Sequence, residues 1–536
     1  MTIITAKPAA VRQAGLRPGP LAVALALAAW SVAPASYADW KFTPVVTLSE
    51  TYTDNVLLQP AGQERSQFIS ELTPSFALSH LGPRLDFSLN YGKNLRRYSN
   101  QDVGGTVGNQ QQLSSRARLK VYEDLLLLDA SATISRQPNS AFGPQALPGR
   151  NGTGFAESLS SEVKTLRIAP SLHHRFGSWA RVDALYNHDS VLSDNRGLGQ
   201  YNSDSANVTL SSGPAFHQLG WNLGYQASRI DNKEALQSNL SPQTNIKSLS
   251  ASLQYLLQPG LRLLVNAGHD SYDYEALPGT DKPSGKSWSL GASWTPSGRT
   301  SVQATAGKRY FGDSYSLLAS HRRRASVWTL SYNDTVTTTQ SQFLQSGAVA
   351  TSTFLDQLFA GTIADPALRA RVVDAYIRAN NLPPSLANTT NYFSNRFMLV
   401  KELQASAAWV GSRGTLLVSL TDSRREGLSA LRIDSDLLGS VNNRLNDNTH
   451  QSGVSSSLSW RLSSRTSANA GVSYTRTRSL TVNRTDNTRA MRLNLSHEFA
   501  RKVNGSVELR RARGSALAGD GRYTENALSA SLSKQF

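Results

Sequence analysis

Apolar and small polar residues alternate with period two along almost the whole chain, and the stretch SWSLGASWTPSGRTSVQATAG, Ser287 to Gly307, shows the unit. Trp288, Leu290, Ala292 and Trp294 alternate with Ser287, Ser289, Gly291 and Ser293; past a turn, Val302, Ala304 and Ala306 alternate with Ser301, Gln303 and Thr305. Such a period gives an extended strand one apolar and one wet face. Segments 85–91, 221–226, 248–257 and 491–496 repeat it. Tight turn signals such as Leu81-Gly82-Pro83, Gln258-Pro259-Gly260 and Gly411-Ser412-Arg413-Gly414 alternate with long connections rich in Gly, Asn, Asp, Ser and Pro, such as 138–154, 231–244 and 426–448. Successive tight turns lie roughly 40 residues apart, about the length of two strands and a long loop.

What covers the apolar face decides the fold. A soluble two-sheet sandwich needs bulky inward residues, whereas roughly half of the apolar-face positions here are small, and about twenty strands exceed the count of one sheet pair. Lipid chains fill the space beside small side chains, and a sheet closed on itself leaves no unpaired edge in hydrocarbon. The expected fold is all-β: a transmembrane antiparallel up-and-down β-barrel of about 22 strands, within roughly 20 to 24. That count takes Asn333-Asp334 as a turn, with the first strand near Trp40 to Thr53 and the last near Tyr523 to Phe536. Aromatics gather beside the tight turns (Phe176, Trp179, Phe216, Trp221, Tyr255, Trp294, Trp409, Trp460 and Phe499), as an interfacial girdle requires. The terminal Phe536 resembles the assembly signal by which the barrel assembly machinery recognises bacterial outer-membrane barrels, although Lys534 departs from its usual apolar position.

The first 38 residues read as a secretory signal peptide: Lys7, Arg12 and Arg17 precede the apolar run Leu21 to Val32, and Ser36-Tyr37-Ala38 supplies the small residues of a cleavage site. Residues 39–536 are then expected to form the exported barrel. No later apolar run is long enough for a transmembrane helix. Cysteine is absent, so ladders and packing must supply the stability. The formal charge of +17 suits anionic lipid or an acidic polysaccharide, and export removes nucleic acid as a partner.

One segment breaks the period. Within an insert spanning 346–391, Ala364 to Asn381 reads as a helix: Asp365 caps it, Pro366 suits its first turn, and Leu368, Val372, Ala375, Tyr376 and Ala379 form one apolar stripe. Phe354, Leu355, Leu358 and Phe359 suggest a shorter helix before it. So long a connection with its own helices is expected to plug the barrel mouth, cap it or dock a partner.

Alternation assigns Arg116, Arg118, Lys120, Arg167, Arg175, Arg181, Asp183, Arg262, Asp270 and Arg309 to the wet inner face. They form either an anion-favouring lining or a ladder of opposite charges that stiffens the wall. Basic clusters read as loops (Arg96-Arg97, Arg322-Arg323-Arg324 and Arg424-Arg425) are candidate contacts for lipopolysaccharide phosphates. An enzyme is disfavoured: His188-Asp189, His269-Asp270 and His173-His174 each split between opposite faces of a strand, and the histidines show no metal-ligand spacing. No cofactor, metal or catalytic residue is expected.

The segment TDNVLLQPAGQERSQFISELTPSFALSHLGPRLDFSLNY, Thr53 to Tyr91, resembles the opening of an uncharacterised outer-membrane barrel family associated with PEP-CTERM/exosortase systems. The insert sequence DPALRARVVDAYIRANNLP, Asp365 to Pro383, looks like the insert of the same family. The resemblance implies an outer-membrane location beside exopolysaccharide production and protein sorting, and no catalytic residues. The expected function is a transport or export channel component, its partners anionic polysaccharide or export-system proteins; the alternative is a scaffold that docks a partner through the insert.

Overall fold

The structure, a computed structural model, describes residues 40–536 except 101–102, 104–105, 107, 124, 144–159, 195–199, 233–242, 278–282, 345–354, 357–358, 360–368, 370–371, 374–391, 393, 395, 430–443 and 517–520. The expected signal peptide lies outside the described residues. Strands β1 (Lys41–Thr53), β2 (Gln67–Leu81), β3 (Leu85–Tyr98), β4 (Gln110–Tyr122), β5 (Leu126–Pro138), β6 (Ser160–Phe176) and β7 (Ala180–Ser193) open the wall. They continue through β8 (Gln200–Ser212), β9 (Leu219–Asn232), β10 (Gln243–Gln258), β11 (Leu261–Tyr272), β12 (Ser284–Ser297), β13 (Thr300–Arg309), β14 (Gly312–Arg322) and β15 (Ser326–Thr338). A six-residue helix, α1 (Thr339–Leu344), follows directly. β16 (Phe397–Val410), β17 (Gly414–Gly427), β18 (Asn448–Arg461), β19 (Thr466–Ser479), β20 (Thr485–Ala500), β21 (Val503–Ser515) and β22 (Arg522–Gln535) complete it.

Each strand pairs antiparallel with the next, and β1 pairs with β22 from Val45↔Gln535 to Thr53↔Ala527, which closes the sheet into a 22-stranded barrel. Closure leaves no edge row of unpaired N–H and C=O groups, the condition for crossing hydrocarbon with strands. The alternation sorts the faces as expected. On β20, Met491, Leu493, Leu495 and Phe499 are exposed on the outside while Ala490 is buried inside. Phe176, Trp179, Trp294, Trp460 and Phe499 stand exposed on the outer face at the tight-turn end. From Phe499 to Arg489, at ~3.3 Å per residue and a tilt of ~40°, β20 climbs about 25 Å, the height of a bilayer's apolar band.

Small inward residues also let the wall coil. Gly291 and Gly307 face inward on β12 and β13, where a Cβ would collide with the carbonyls of Ala304 and Trp288 on the partner strand. The two strands therefore approach more closely than side chains would allow.

One expected boundary is corrected. Asn333 and Asp334 are not a turn; they sit inside β15, paired with Glu402 and Lys401 of β16. The tight turn lies earlier, between Arg322 and Ser326, closed by the Arg323 amide donating to the Ser326 carbonyl at 2.7 Å. It carries charge in place of Gly or Pro, so composition does not mark it. The compensating reversal is at Tyr310-Phe311, where Gly312 has φ +112° and opens β14.

Leu493→Arg, in the middle of the outer band, is expected to cost about 2–4 kcal/mol in bilayer refolding, whereas Asn494→Arg, one residue on and facing the lumen, should cost under about 1. Denaturant titration of both variants in phospholipid vesicles checks this; equal costs would contradict the assignment of faces.

Candidate functional site in the barrel interior

Described residues of the insert lie inside the barrel, against its wall. At the tight-turn end, the inner faces of β15, β16 and β17 present Val327, Ala408 and Leu417, and the insert's Leu355 (0% exposed) and Val373 (1%) pack on them together with Phe359 and Val410. Register fixes this face as internal. Val327 opposes Ala408 and Ala408 opposes Leu417, while their neighbours Trp328 and Trp409 meet edge to face outside at 4.8 Å. The chain leaves the wall after β15 at the long-loop end, whereas this patch lies on the inner face at the tight-turn end. Asp356 and Arg369, 2.7 Å apart, tie its two helical pieces together.

The expected stripe is only partly placed. Val372 is helical but only partly buried, and the adjacent Val373 is the residue that docks; Leu368, Ala375, Tyr376 and Ala379 lie outside the described residues. Above the small apolar patch the wall under the insert is polar: Gln404, Ser406, Ser419, Thr421 and Ser423 are buried on the inner faces of β16 and β17.

The long-loop end is laced from several sides. Phe343 and Leu344 of α1 pack on Val163, Val191, Tyr201 and Ile230, so this helix carries the chain from β15 across to the inner faces of β6 to β9. Tyr392, at the insert's exit, is buried with Ala141, Phe142, Met398, Val400 and Leu445. Its hydroxyl bonds Thr449 Oγ1 at 2.8 Å, and the Arg425 guanidinium lies 4.8 Å from its ring centre. Burial pushes the Tyr392 phenol above its ordinary value. Arg396 and Asp447 form a pair at 3.2 Å in which each side chain is 4% exposed. Burial raises the Asp447 carboxyl, and the Arg396 guanidinium opposes that shift.

The sequence-assigned inner-face residues do face the lumen, and they divide into two kinds. Arg118 binds Asp129 (2.8 Å), Arg167 binds Asp189 (2.6 Å), Arg181 binds Asp183 (2.7 Å) and Arg309 binds Asp270 (2.9 Å), with His173 also on Asp183 (2.6 Å). Arg116, Lys120, Arg175 and Arg262 instead stand exposed toward the tight-turn end, on the β4 to β11 side of the lumen. Sequence reading missed four further largely buried pairs elsewhere on the barrel: Arg96 with Glu71, Arg396 with Asp447, Arg484 with Asp486 and Arg510 with Glu525. Register would have found the first, since Glu71 and Arg96 are direct cross-strand partners.

The basic loop clusters are largely corrected. Arg96 is turned inward with its side chain 0% exposed, because β3 continues to Tyr98 and only Arg97 points out. Arg322, Arg323 and Arg324 lie at the tight-turn end, opposite the long loops. Arg424 points outward and is held by Glu426 at 2.6 Å, while Arg425 points inward onto Tyr392.

The histidine pairs split as alternation requires. His188 reaches Asp204 on the outer face while Asp189 is inside with Arg167, and Asp270 is inside with Arg309 while His269 is on the opposite face. Among the described residues, no three His, Asp or Glu side chains come together as a metal site.

No family model and no curated protein match the chain. Among solved structures it is similar to the siderophore receptor PirA from Pseudomonas aeruginosa, at 13% identity and TM-score 0.43 over 94% of this chain and 81% of that one. PirA from Acinetobacter baumannii gives 10% and 0.46 over 94% and 81%. The ferric-catecholate import receptor Fiu from E. coli K12, in its closed form, gives 9% and 0.46 over 92% and 81%. Likeness at this distance carries no residue role or ligand to this chain.

Arg396→Ala leaves Asp447 buried without its close partner, an expected loss of about 3–5 kcal/mol, much of it recovered by the apolar double replacement Arg396→Met with Asp447→Leu. Hydrogen exchange at the long-loop ends of β16 and β18 reads the loss and its recovery.

Proposed function

We propose that the protein is an outer-membrane transport component, held closed by its own insert, that passes an anionic polymer in an exopolysaccharide or PEP-CTERM surface system. One observation carries the closed state: Leu355 and Val373 sit on the inner wall at the far end of the lumen from where the insert enters. Burying each supplies about 1.5–3 kcal/mol, enough to seat a segment and small enough to release it. The polar wall around that patch would be hydrated if the insert withdrew, so opening exposes little that water cannot satisfy.

The anionic cargo rests on Arg116, Lys120, Arg175 and Arg262, which project into the lumen without a carboxylate partner among the described residues. Bases in that position attract anions. The paired Arg118, Arg167, Arg181 and Arg309 add no net charge and stiffen the wall. The polysaccharide system itself rests on the resemblance of segments 53–91 and 365–383 to the barrel family named above. The alternative scaffold reading is separated by the same experiment.

In planar bilayers, removing Ser346 to Asn391 is expected to turn a closed barrel into a stable open pore that prefers chloride to potassium. Arg116→Ser, Lys120→Ser and Arg262→Ser together should then lower that preference. Unchanged conductance after the deletion, with loss of a co-purifying protein, would favour the scaffold.

A further inference from the structure

The outer face of β18 to β22 carries a charge pattern that the lumen does not explain. Arg476 and Arg478 on β19, Arg489 on β20, and Arg511 and Arg513 on β21 are all exposed. Alternation and register place them outside: Arg489 opposes Tyr474 and Arg513, Arg511 opposes Met491, and Arg476 opposes Asn487. Every carboxylate of these strands falls on the other face. Asp486, Glu508 and Glu525 point inward to Arg484, Arg492 and Arg510, and Glu498 shares the inward row of β20. The nearest outward acids flank the patch, with Asp422 held by His450 (2.8 Å), Glu426 by Arg424 (2.6 Å) and Asp54 by Asn526 (2.7 Å).

Arg489 and Arg513 are direct cross-strand partners, and like charges so placed destabilise a sheet. Each of the five outer arginines lacks a carboxylate partner among the described residues; the nearest compensation is the Tyr474 ring, 5.6 Å from Arg489. Their height is also informative. On β20, Arg489 stands one alternation step above Met491 and about 25 Å up from the aromatic Phe499, and on β21 Arg511 stands one step above Leu509, at the level of the headgroups of the long-loop leaflet. Elsewhere along the rim, the outward Lys308 and Arg229 keep acids nearby, Asp313 at 3.8 Å and Asp231 at 3.5 Å, while Arg97, Lys247 and Lys286, which have no close acid among the described residues, oppose Ser70, Ser271 with Ala227, and His269, and no second arginine or lysine.

We infer that this arginine patch is a binding site for a phosphorylated glycolipid of the long-loop leaflet: its acyl chains lie on Met491, Leu493 and Leu509, and its phosphates sit between Arg489, Arg511 and Arg513. The planar guanidinium grips phosphate through paired N–H groups and stacks or snorkels along apolar neighbours, which a lysine does less well. An anion between Arg489 and Arg513 converts their repulsion into two charge-assisted contacts. The proposal rests only on the membrane-spanning reading of the wall, so the conductance of the insert deletion has no bearing on it.

The test is titration of the full chain in detergent micelles with bisphosphorylated lipid A, with the same lipid stripped of both phosphates, and with inorganic phosphate. Folding is checked by the heat-dependent mobility shift of barrels. The native chain should bind the bisphosphorylated lipid at least about tenfold more tightly than the stripped one, and Arg489→Ser with Arg513→Ser should abolish that difference. This pair removes a like-charge contact, so it is expected to fold; Arg489→Lys with Arg513→Lys, which keeps the charge, should fall between. Lys247→Ser with Lys286→Ser, at the same level on β10 and β12, should change nothing. Equal affinity for both lipids, an unaffected arginine variant, or an equal loss in the lysine variant overturns the site. Displacement of the lipid by inorganic phosphate at matching concentration would make it a free-anion site and also overturn it.

Discussion

A backbone amide in hydrocarbon has no water to turn to, and the rest of this molecule depends on that constraint. The β1 to β22 ladder meets it by closing the sheet, so no strand is left with a bare edge. Closure then sets two further conditions. The outer face can be made of small and large apolar residues alike, because lipid conforms to either. The inner face cannot be packed by wall side chains alone, because a ring of 22 strands encloses far more space than they fill.

Both conditions are met by separate parts of the sequence. The period-two pattern supplies the outer band, and its Ser, Gly and Ala positions let β12 and β13 approach closely. The insert and the long loops supply matter for the interior, with Leu355 and Val373 seated on the wall and Tyr392 buried among Phe142, Met398 and Leu445. The wall is held by continuous hydrogen-bonded ladders. The described residues of the insert are held by a small apolar patch on the inner wall near the tight turns, and Tyr392 anchors its exit at the long-loop end.

The cylinder was legible in the sequence because alternation is a local signal that repeats in every strand. The strand number came out right although one turn was misplaced: Asn333 and Asp334 carry turn chemistry yet sit in β15, and the true turn near Arg323 carries none. Arg96 shows a second limit. Beside Arg97 it reads as a loop cluster, but β3 extends past both, and alternation sends one inward to Glu71 and the other out. Where the insert docks was not legible, because its contacts with β15 to β17 join surfaces distant in sequence, and Val373 takes the buried place that the helical stripe gave to Val372.

The same residue type obeys different rules on the two faces, and arginine makes the difference visible. Inside, a guanidinium in open lumen, such as Arg116, Arg175 or Arg262, needs no partner, whereas a buried one left unpaired would cost several kcal/mol, about 3–5 when a buried pair is broken. The well-buried Arg96, Arg396 and Arg510 each have a carboxylate, and the buried Arg425 lies against the Tyr392 ring instead. Outside, on β19 to β21, the side chains lie at the boundary of the lipid band, where a counter-charge can come from the membrane itself. A carboxylate there would compete with lipid phosphate for the same guanidinium, and none of the carboxylates on these strands faces out. Charge on this barrel is therefore partitioned by the pleat of the sheet: one step along a strand moves an arginine from an internal brace to a contact with the leaflet.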